Sequence, residues 1–496
     1  MKDSILQRWW PVCVATSAAA LTIAVALRFQ WKLDDAYITF SYAQNWVQGN
    51  GLVFNVGERV EGYTCFLWVA LSALGLYLGA DIVWWSTTLG ILSATGAVFA
   101  AGSLARELAP VRLRPATALS AVMVGAYPPL AWWAASGMET ALFTCLLTTA
   151  MWLHVRNGEA SVMAPICLAL ASMTRPEGLL LSVLLCLDAV RIGTWRNAAR
   201  YCAVLLLIFG PYYGWRLSYY GDFLPNTFYA KVGSTGDQVR RGIAYLGLFL
   251  STRAAQLLLV GAAVAALSGV LRRGAAISAF LVIYLGYVIV VGGDVFPLYR
   301  FFIPVIPPLV ALSVAGLLQW AERLSPGRAS VGYTACILFA MTFLLTCVPL
   351  FAAQKRDLGV TRYLNSLGQA VCPLVQAQTG PDDAIASIAI GQLKYCTGRR
   401  VIDIVGLTDT HIAHRQVANV GKGPAGHERY DSEYVLAQRP KYIFLPTQDG
   451  ESEALIEPLR DLWRQSALQR DYIAEHVPAT AYYRRIDAPP LLPADP

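Results

Sequence analysis

Long apolar runs alternate with short polar connections over the first 350 or so positions, and the pattern then changes to short alternating segments of strand and helix type. A bilayer's hydrocarbon core of about 30 Å takes roughly 20 apolar residues of helix. On that measure the chain predicts membrane helices at about 11–28, 83–105, 116–131, 139–155, 161–174, 177–190, 201–217, 254–271, 275–292, 301–319 and 330–351. Several of these fall short of a full crossing, which predicts buried or broken helices inside the bundle. The first run is followed by Arg28, Phe29 and Gln30 rather than a small-residue cleavage site, so it is expected to stay as a helix and not to leave as a signal peptide.

Charge sorts the connections into two faces. Lys2 with Arg8, Arg106 with Arg112 and Arg114, Arg156, Arg191 with Arg196 and Arg200, Arg272 with Arg273, and Arg323 with Arg328 fall in alternate connections. Positive residues mark the cytoplasmic side, so the N-terminus is expected there, in a bacterial inner membrane. Residues 29–64, the later connections "WWAASGMET", "MTRPEG", "YYGDFLPNTFYAKVGSTGD" and "GGDVFPLYR", and the C-terminal tail are expected on the periplasmic face. The run "CFLWVALSALGLYLGA" at 65–80 is apolar enough to cross, but a crossing would invert every later connection. It is expected to lie in the outer interface, with Phe66, Trp68 and Tyr77 at the boundary; a true extra span is the alternative.

The expected fold class is therefore a polytopic α-helical membrane protein of about 11 transmembrane helices, domain 1–352, followed by a soluble C-terminal α/β domain, 353–496. In the tail, "DAIASIAIG", "RRVIDIVGL" and "KYIFLP" read as buried strands between the helical patterns "DSEYVLAQR" and "EALIEPLRDLWRQSAL", which predicts a mostly parallel sheet. Composition agrees with a bilayer protein: 56% of residues are hydrophobic and 14% charged, against about 25% charged in ordinary soluble domains. The net charge of +7 is dispersed among the connections rather than gathered in a stripe, so no nucleic-acid partner is expected. Most of the ten cysteines lie in apolar runs, but Cys372 and Cys396 lie in the polar tail and can pair if that region faces an oxidising compartment.

Candidate chemistry begins where the first apolar run ends. "LDDAYITFSYAQNWVQGNGLVFNVGERVEGYT", residues 33–64, sets Asp34 beside Asp35 at the membrane boundary. Burial and mutual repulsion raise the pKa of one such carboxylate toward the range of a general base. A helix starting here also offers the alternative that Asp34 is a cap near its N-terminus and Asp35 the functional acid, or that neither is functional. The loop that follows carries four glycines, Glu58, Arg59 and Glu61, the composition of a functional loop rather than a packed element.

These residues carry a resemblance. The segment 33–64 resembles the first outer loop of the GT-C superfamily of glycosyltransferases, which use polyprenyl-phosphate sugars, and is most similar to the terminal β-(1→2)-arabinofuranosyltransferase group. "SGMETALF", "TRPEGLLL", "YYGDFLPNTFYAKV", "GGDVFPLYRFFIPVIPP", "VIDIVGLTDTHIAH" and "GHERYDSEYVLAQRP" are similar to that group in the same order, over most of the chain. The resemblance implies a GT-C-like fold and an inverting transfer of a sugar, arabinofuranose in the closest group, from a polyprenyl-phosphate donor to a glycan, lipid or protein acceptor. It implies that Asp34 and Asp35 supply the base, and that the lipid-linked sugar is a substrate, so no cofactor is expected.

A lipid-phosphate leaving group calls for cations at the outer face. Arg300 with Asp294 beside it, Lys231 and Arg175 are the candidates, in that order, each with a structural alternative in local ion pairing or snorkelling. Glu61, Tyr63, Glu139, Asn226, His411, His414 and His427 are candidates for contacts with the sugar or the acceptor. Glu139 can instead cap a helix. His411 and His414, at i and i+3, can recruit zinc, but no tight ligand set completes the site and glycan contact is the expectation. The alternative function is a transporter or flippase for a lipid-linked saccharide, which should place ionisable groups near the bilayer midplane rather than at one interface.

Overall fold

The computed structural model describes residues 5–28, 31–109, 114–233, 235–326, 328–418, 420–445, 456–477 and 480–491. Each apolar run named above lies largely in helix. Among the described residues four segments are long and apolar enough to cross a membrane alone: Pro11–Arg28, Ile82–Leu108, Pro297–Leu324 and Ser330–Ala353. Gly236–Leu250 and Arg253–Ser268, bent by 87° at a short break, make a fifth if counted as one span.

Several of the other runs expected in the membrane form helices too short to cross alone, the short or broken helices that their lengths implied. Arg114–Gly125 and Met163–Thr174 have 12 residues each, Gly178–Ile192 has 15 and Ala275–Val290 has 16. At about 1.5 Å per residue these reach roughly 18–24 Å. Non-helical breaks at membrane depth are tolerable where neighbouring helices surround them, and the packing here is close. A Cβ on Gly90 would lie 2.0 Å from the Ala134 carbonyl oxygen and one on Gly102 would lie 2.7 Å from that of Thr117, so small residues let Ile82–Leu108 touch its neighbours at backbone distance. Every residue of the short helix Pro128–Ala135 is buried.

The run at 65–80 forms the 12-residue helix Phe66–Tyr77, about 18 Å long and too short for a crossing. Trp68 is buried and its indole N–H donates to the Gly137 carbonyl at 2.8 Å, which holds this helix to the turn before Glu139.

No chain break marks the expected boundary at 352. A single 50-residue helix, Ala329–Gln378, runs out of the apolar bundle and into the tail. There five strands form one sheet, β1 (Ala384–Ser387), β2 (Arg400–Asp403), β3 (Tyr442–Leu445), β4 (Tyr472–Val477) and β5 (Thr480–Arg485), in the order β2-β1-β3-β5-β4. The three expected strands are β1, β2 and β3, mutually parallel; β5 runs antiparallel to β3 and pairs with β4. The sheet is thus mixed. The β4–β5 pair escaped the sequence pattern because the adjacent polar pairs Glu475–His476 and Arg484–Arg485 break both a strict alternation and a continuous buried-type run.

Tail and outer loop share a hydrophobic core. Ile38, Tyr42, Leu52, Phe54, Tyr63 and Trp68 pack in one cluster with Val371, Ile385, Ile390, Leu393 and Val401. Polar contacts reinforce it: Asn55 donates to the Val401 carbonyl at 2.9 Å and accepts its N–H at 3.0 Å. Cys372 and Cys396 form a disulfide, Cα atoms 6.0 Å apart, joining the end of the long helix to the crossover helix Gly391–Thr397. Replacing both by Ser removes a cross-link between positions 24 residues apart, so thermal unfolding should show a loss of about 3 kcal/mol. Peptide mapping without reductant should recover Cys372 joined to Cys396 in the wild type.

Candidate active site

The helix Asp34–Val47 opens with both carboxylates in its first turn, where negative charge suits the helix dipole. Its start is pinned from below. The Lys32 ammonium donates to the Ala135 carbonyl and the Thr87 hydroxyl, both at 2.7 Å, and the Leu33 N–H donates to the Ser136 carbonyl at 3.1 Å. The chain thus enters the helix against the turn that also carries Glu139.

Adjacent residues on a helix point about 100° apart, and the two aspartates do different work. Asp34 accepts the N–H groups of Gly391 and Gln392 at 2.9 Å each, capping the tail helix Gly391–Thr397. The expectation that it caps its own helix is corrected: Leu33 occupies that position and no side chain caps it. Burial pushes the Asp34 carboxyl up to about 6, against the lowering effect of those two N–H bonds. Contact is close enough that a Cβ on Gly391 would lie 2.0 Å from the Asp34 carbonyl oxygen.

Asp35 faces a cavity of about 300 Å³. Tyr63, Glu139, Arg175, Lys231, Asp294, Arg300 and His427 line the same space. Connections far apart in sequence therefore meet at one place. Arg175 bridges Glu139 and Glu177 at 2.8 and 2.9 Å, and Arg300 donates through Nε to Asp294 at 2.7 Å. The Arg300 guanidinium also lies 4.5 Å from the ring centre of Phe296. Two successive non-glycine residues just before it, Leu298 and Tyr299, have φ of 57° and 55°, a strained backbone of the kind that collects at functional sites.

Lys231 is the exception to this pairing. Among the described residues it has no carboxylate partner in an ion pair, and its stem packs where a Cβ on Gly426 would lie 3.1 Å from Cε. Among the described residues it is the lining cation that makes no ion pair with a carboxylate, beside Arg300, which does. The described pairing of Arg300 uses Nε alone, so its two Nη groups remain as donors. Apolar lining comes from Leu180, Leu224, Phe228, Val295, Phe296 and Phe301, of which Phe228 and Val295 also reach the protein surface.

Five expected site residues lie outside the cavity, each with a partner of its own. Asp34 holds the tail. Glu61 is buried and ion-paired to Arg216, and burial pushes its carboxyl up to about 7 against the pull of that arginine. Asn226 donates to the carbonyls of Gly406 and Leu407 at 2.9 Å each. His411 meets Asp431 at 2.9 Å and stacks on Tyr434, and His414 donates to the Thr410 carbonyl at 2.9 Å with its ring on Tyr229. Among the described residues no three His, Cys, Asp or Glu side chains converge as metal ligands.

Sequence reasoning passed over Glu177 and Tyr287 as lining residues, and Arg216 altogether. Arg216 had left a signal, a lone arginine inside an apolar run, which inside a membrane calls for a buried partner.

The family described as "Domain of unknown function (DUF8728)" matches residues 359–486. Curated relatives include a terminal β-(1→2)-arabinofuranosyltransferase of Mycobacterium tuberculosis, 33% identical over 241 residues, or 44% of this chain and 38% of that protein. The enzyme of the same name from Corynebacterium glutamicum is 30% identical over 264 residues, 45% of this chain and 37% of that protein. The chain matches less than two fifths of the length of these relatives. In fold it is similar to ArnT from Cupriavidus metallidurans bound to undecaprenyl phosphate, with a TM-score of 0.57, 13% identity, and coverage of 98% of this chain and 100% of that one. It is also similar to the Archaeoglobus fulgidus oligosaccharyltransferase in its apo form, with a TM-score of 0.58, 11% identity, and coverage of 90% and 70%.

Over less than half of its length the chain is thus similar in sequence to terminal β-(1→2)-arabinofuranosyltransferases, and over most of its length it is similar in fold to ArnT and the oligosaccharyltransferase. In this chain the tail is seated on the helix Asp34–Val47 by Asp34. Gly391→Ala should force the two apart, and Asp34→Ala should strand two N–H groups at a cost on the order of 3 kcal/mol. Limited proteolysis of the tail and thermal unfolding should both register the loss.

Proposed function

We propose that the chain transfers a sugar, an arabinofuranose, from a polyprenyl phosphate to a glycan, lipid or protein acceptor at the periplasmic face of a bacterial inner membrane, with inversion at the anomeric carbon. The observation that carries the reading is the make-up of one cavity: a carboxylate, Asp35, an uncompensated cation, Lys231, and an apolar lining that reaches the surface. The homology to arabinofuranosyltransferases supports the sugar, and the likeness to a protein bound to undecaprenyl phosphate supports the carrier.

In this reading the carrier's apolar chain lies along Phe228, Val295 and their neighbours, and its phosphate meets Lys231 and the free Nη groups of Arg300. Asp35 accepts the proton of the acceptor hydroxyl as that oxygen attacks the anomeric carbon. The bond from that carbon to the phosphate oxygen breaks on the opposite side, and the electron pair leaves with the lipid phosphate, stabilised by the cations. The glycosyl phosphate brings its own leaving group, so the step calls on no cofactor. Arg175, held between Glu139 and Glu177, acts as a rigid hydrogen-bonding wall rather than a free phosphate cation.

Transfer by the purified protein from a synthetic polyprenyl-phosphate arabinofuranose to an oligosaccharide acceptor tests this. Asp35→Asn should lower kcat by about a hundredfold or more. Asp34→Asn should retain the chemistry at reduced stability, and Lys231→Ala should raise KM for the lipid donor. Full turnover by Asp35→Asn would overturn the assignment of the base.

A further inference from the structure

The tail loop that carries His427 is clamped on both sides. The Glu428 carboxylate accepts the N–H groups of Gly421 and Gly423 at 2.7 and 2.8 Å and pairs with Arg241 at 2.8 Å. Arg241 also donates to the Gly423 carbonyl at 2.7 Å and to the Gly292 carbonyl at 2.9 Å. One guanidinium thus ties the loop to the glycine turn that leads into Asp294. On the other flank Arg429 donates to the carbonyl of Val232, next to Lys231, at 3.2 Å. Gly421 can sit there only without a side chain, since a Cβ would fall 2.2 Å from the Gln238 nitrogen.

This clamp determines what the imidazole offers. His427 Nδ1 lies 3.3 Å from the Ala425 carbonyl oxygen, and a carbonyl only accepts, so Nδ1 carries the hydrogen. Burial holds the ring's pKa below its usual value, with Asp35 and Glu428 pulling it up and Lys231 pushing it down. In the neutral ring Nε2 is then a bare lone pair, on a side chain that lines the cavity with Asp35 and Lys231. A lone pair repels phosphate oxygens and cannot help to hold the leaving group. It can receive a hydrogen only from a donor, and the donors that a sugar brings are its hydroxyls.

We infer that His427 reads a hydroxyl of the donor sugar through a hydrogen bond accepted at Nε2, which makes the tail loop a determinant of sugar specificity. The inference rests on the transfer reading, in that the cavity's ligand is a lipid-linked sugar, but its test is a binding measurement independent of turnover. The full chain in lipid nanodiscs is titrated with bare polyprenyl phosphate, with polyprenyl-phosphate arabinofuranose, and with the monodeoxy forms of the latter.

His427→Phe keeps the ring's bulk and removes Nε2. It should weaken the sugar-bearing lipid about tenfold while leaving the bare lipid phosphate unchanged. His427→Gln, whose amide reaches the Nε2 position, should recover most of that loss. One monodeoxy donor should bind the wild type about tenfold more weakly than the parent sugar and lose nothing further on His427→Phe. The inference is overturned if His427→Phe weakens both lipids alike, weakens neither, or loses as much again with every monodeoxy donor. These outcomes are separable from the fate of the transfer reading, which is decided by turnover in Asp35→Asn.

Discussion

The Asp34 carboxylate, gripping the first two N–H groups of the tail helix Gly391–Thr397, is the contact on which the rest of the architecture depends. It is a charged hydrogen bond to the open end of a helix, where unsatisfied donors and the helix dipole both favour an anion. It seats the tail on the same turn of helix that presents Asp35 to the cavity. Gly391 permits the approach, and the disulfide at Cys396 ties the gripped helix to the long helix rising from the membrane bundle. The shared core around Tyr42, Tyr63 and Val401 then excludes water from the joint. A pair of neighbouring carboxylates that would otherwise repel each other is resolved by giving one of them to structure.

The cavity follows the same economy of charge. Arg175 and Arg300 are neutralised by Glu139, Glu177 and Asp294 at hydrogen-bonding distance. Buried pairs of this kind add little net stability, yet removing one partner leaves an uncompensated charge, so they hold geometry more than they hold the fold together. Against that compensated background Lys231 and Asp35 stand out. The wall they belong to is assembled from loops of the bundle and from the tail, and Arg241 joins the two by binding Gly292, Gly423 and Glu428 at once.

Much of this was legible in the chain. The apolar runs are helices, the strands β1 to β3 lie where buried-type runs announced them, and the short helix Phe66–Tyr77 lacks the length to cross. The connections that the charge pattern assigned to one face do supply the cavity's side chains, including Glu139, Arg175, Lys231 and Arg300. Other features escaped for physical reasons. The breaks between short helices were expected from the lengths of the runs, but their positions were not, because hydropathy counts apolar residues and does not register a turn buried by neighbours. The β4–β5 pair, half polar on its exposed side, resembles surface helix or loop.

What the sequence by itself determined is local: the helices, the strands, the apolar bulk that needs a bilayer, and the placing of two carboxylates at its edge. Those depend on periodicity and composition within a few residues. Only the tertiary structure decided which carboxylate was free. Asp34 and Asp35 are chemically identical, and their difference is made by amides more than 350 residues away. The pairing of Arg300 with Asp294, six residues away, was by contrast within reach of the sequence, which offered it as the structural alternative for that arginine. Burial and pairing are properties of what surrounds a side chain, and for Asp34 the surroundings come from a distant segment that only the folded chain brings to it.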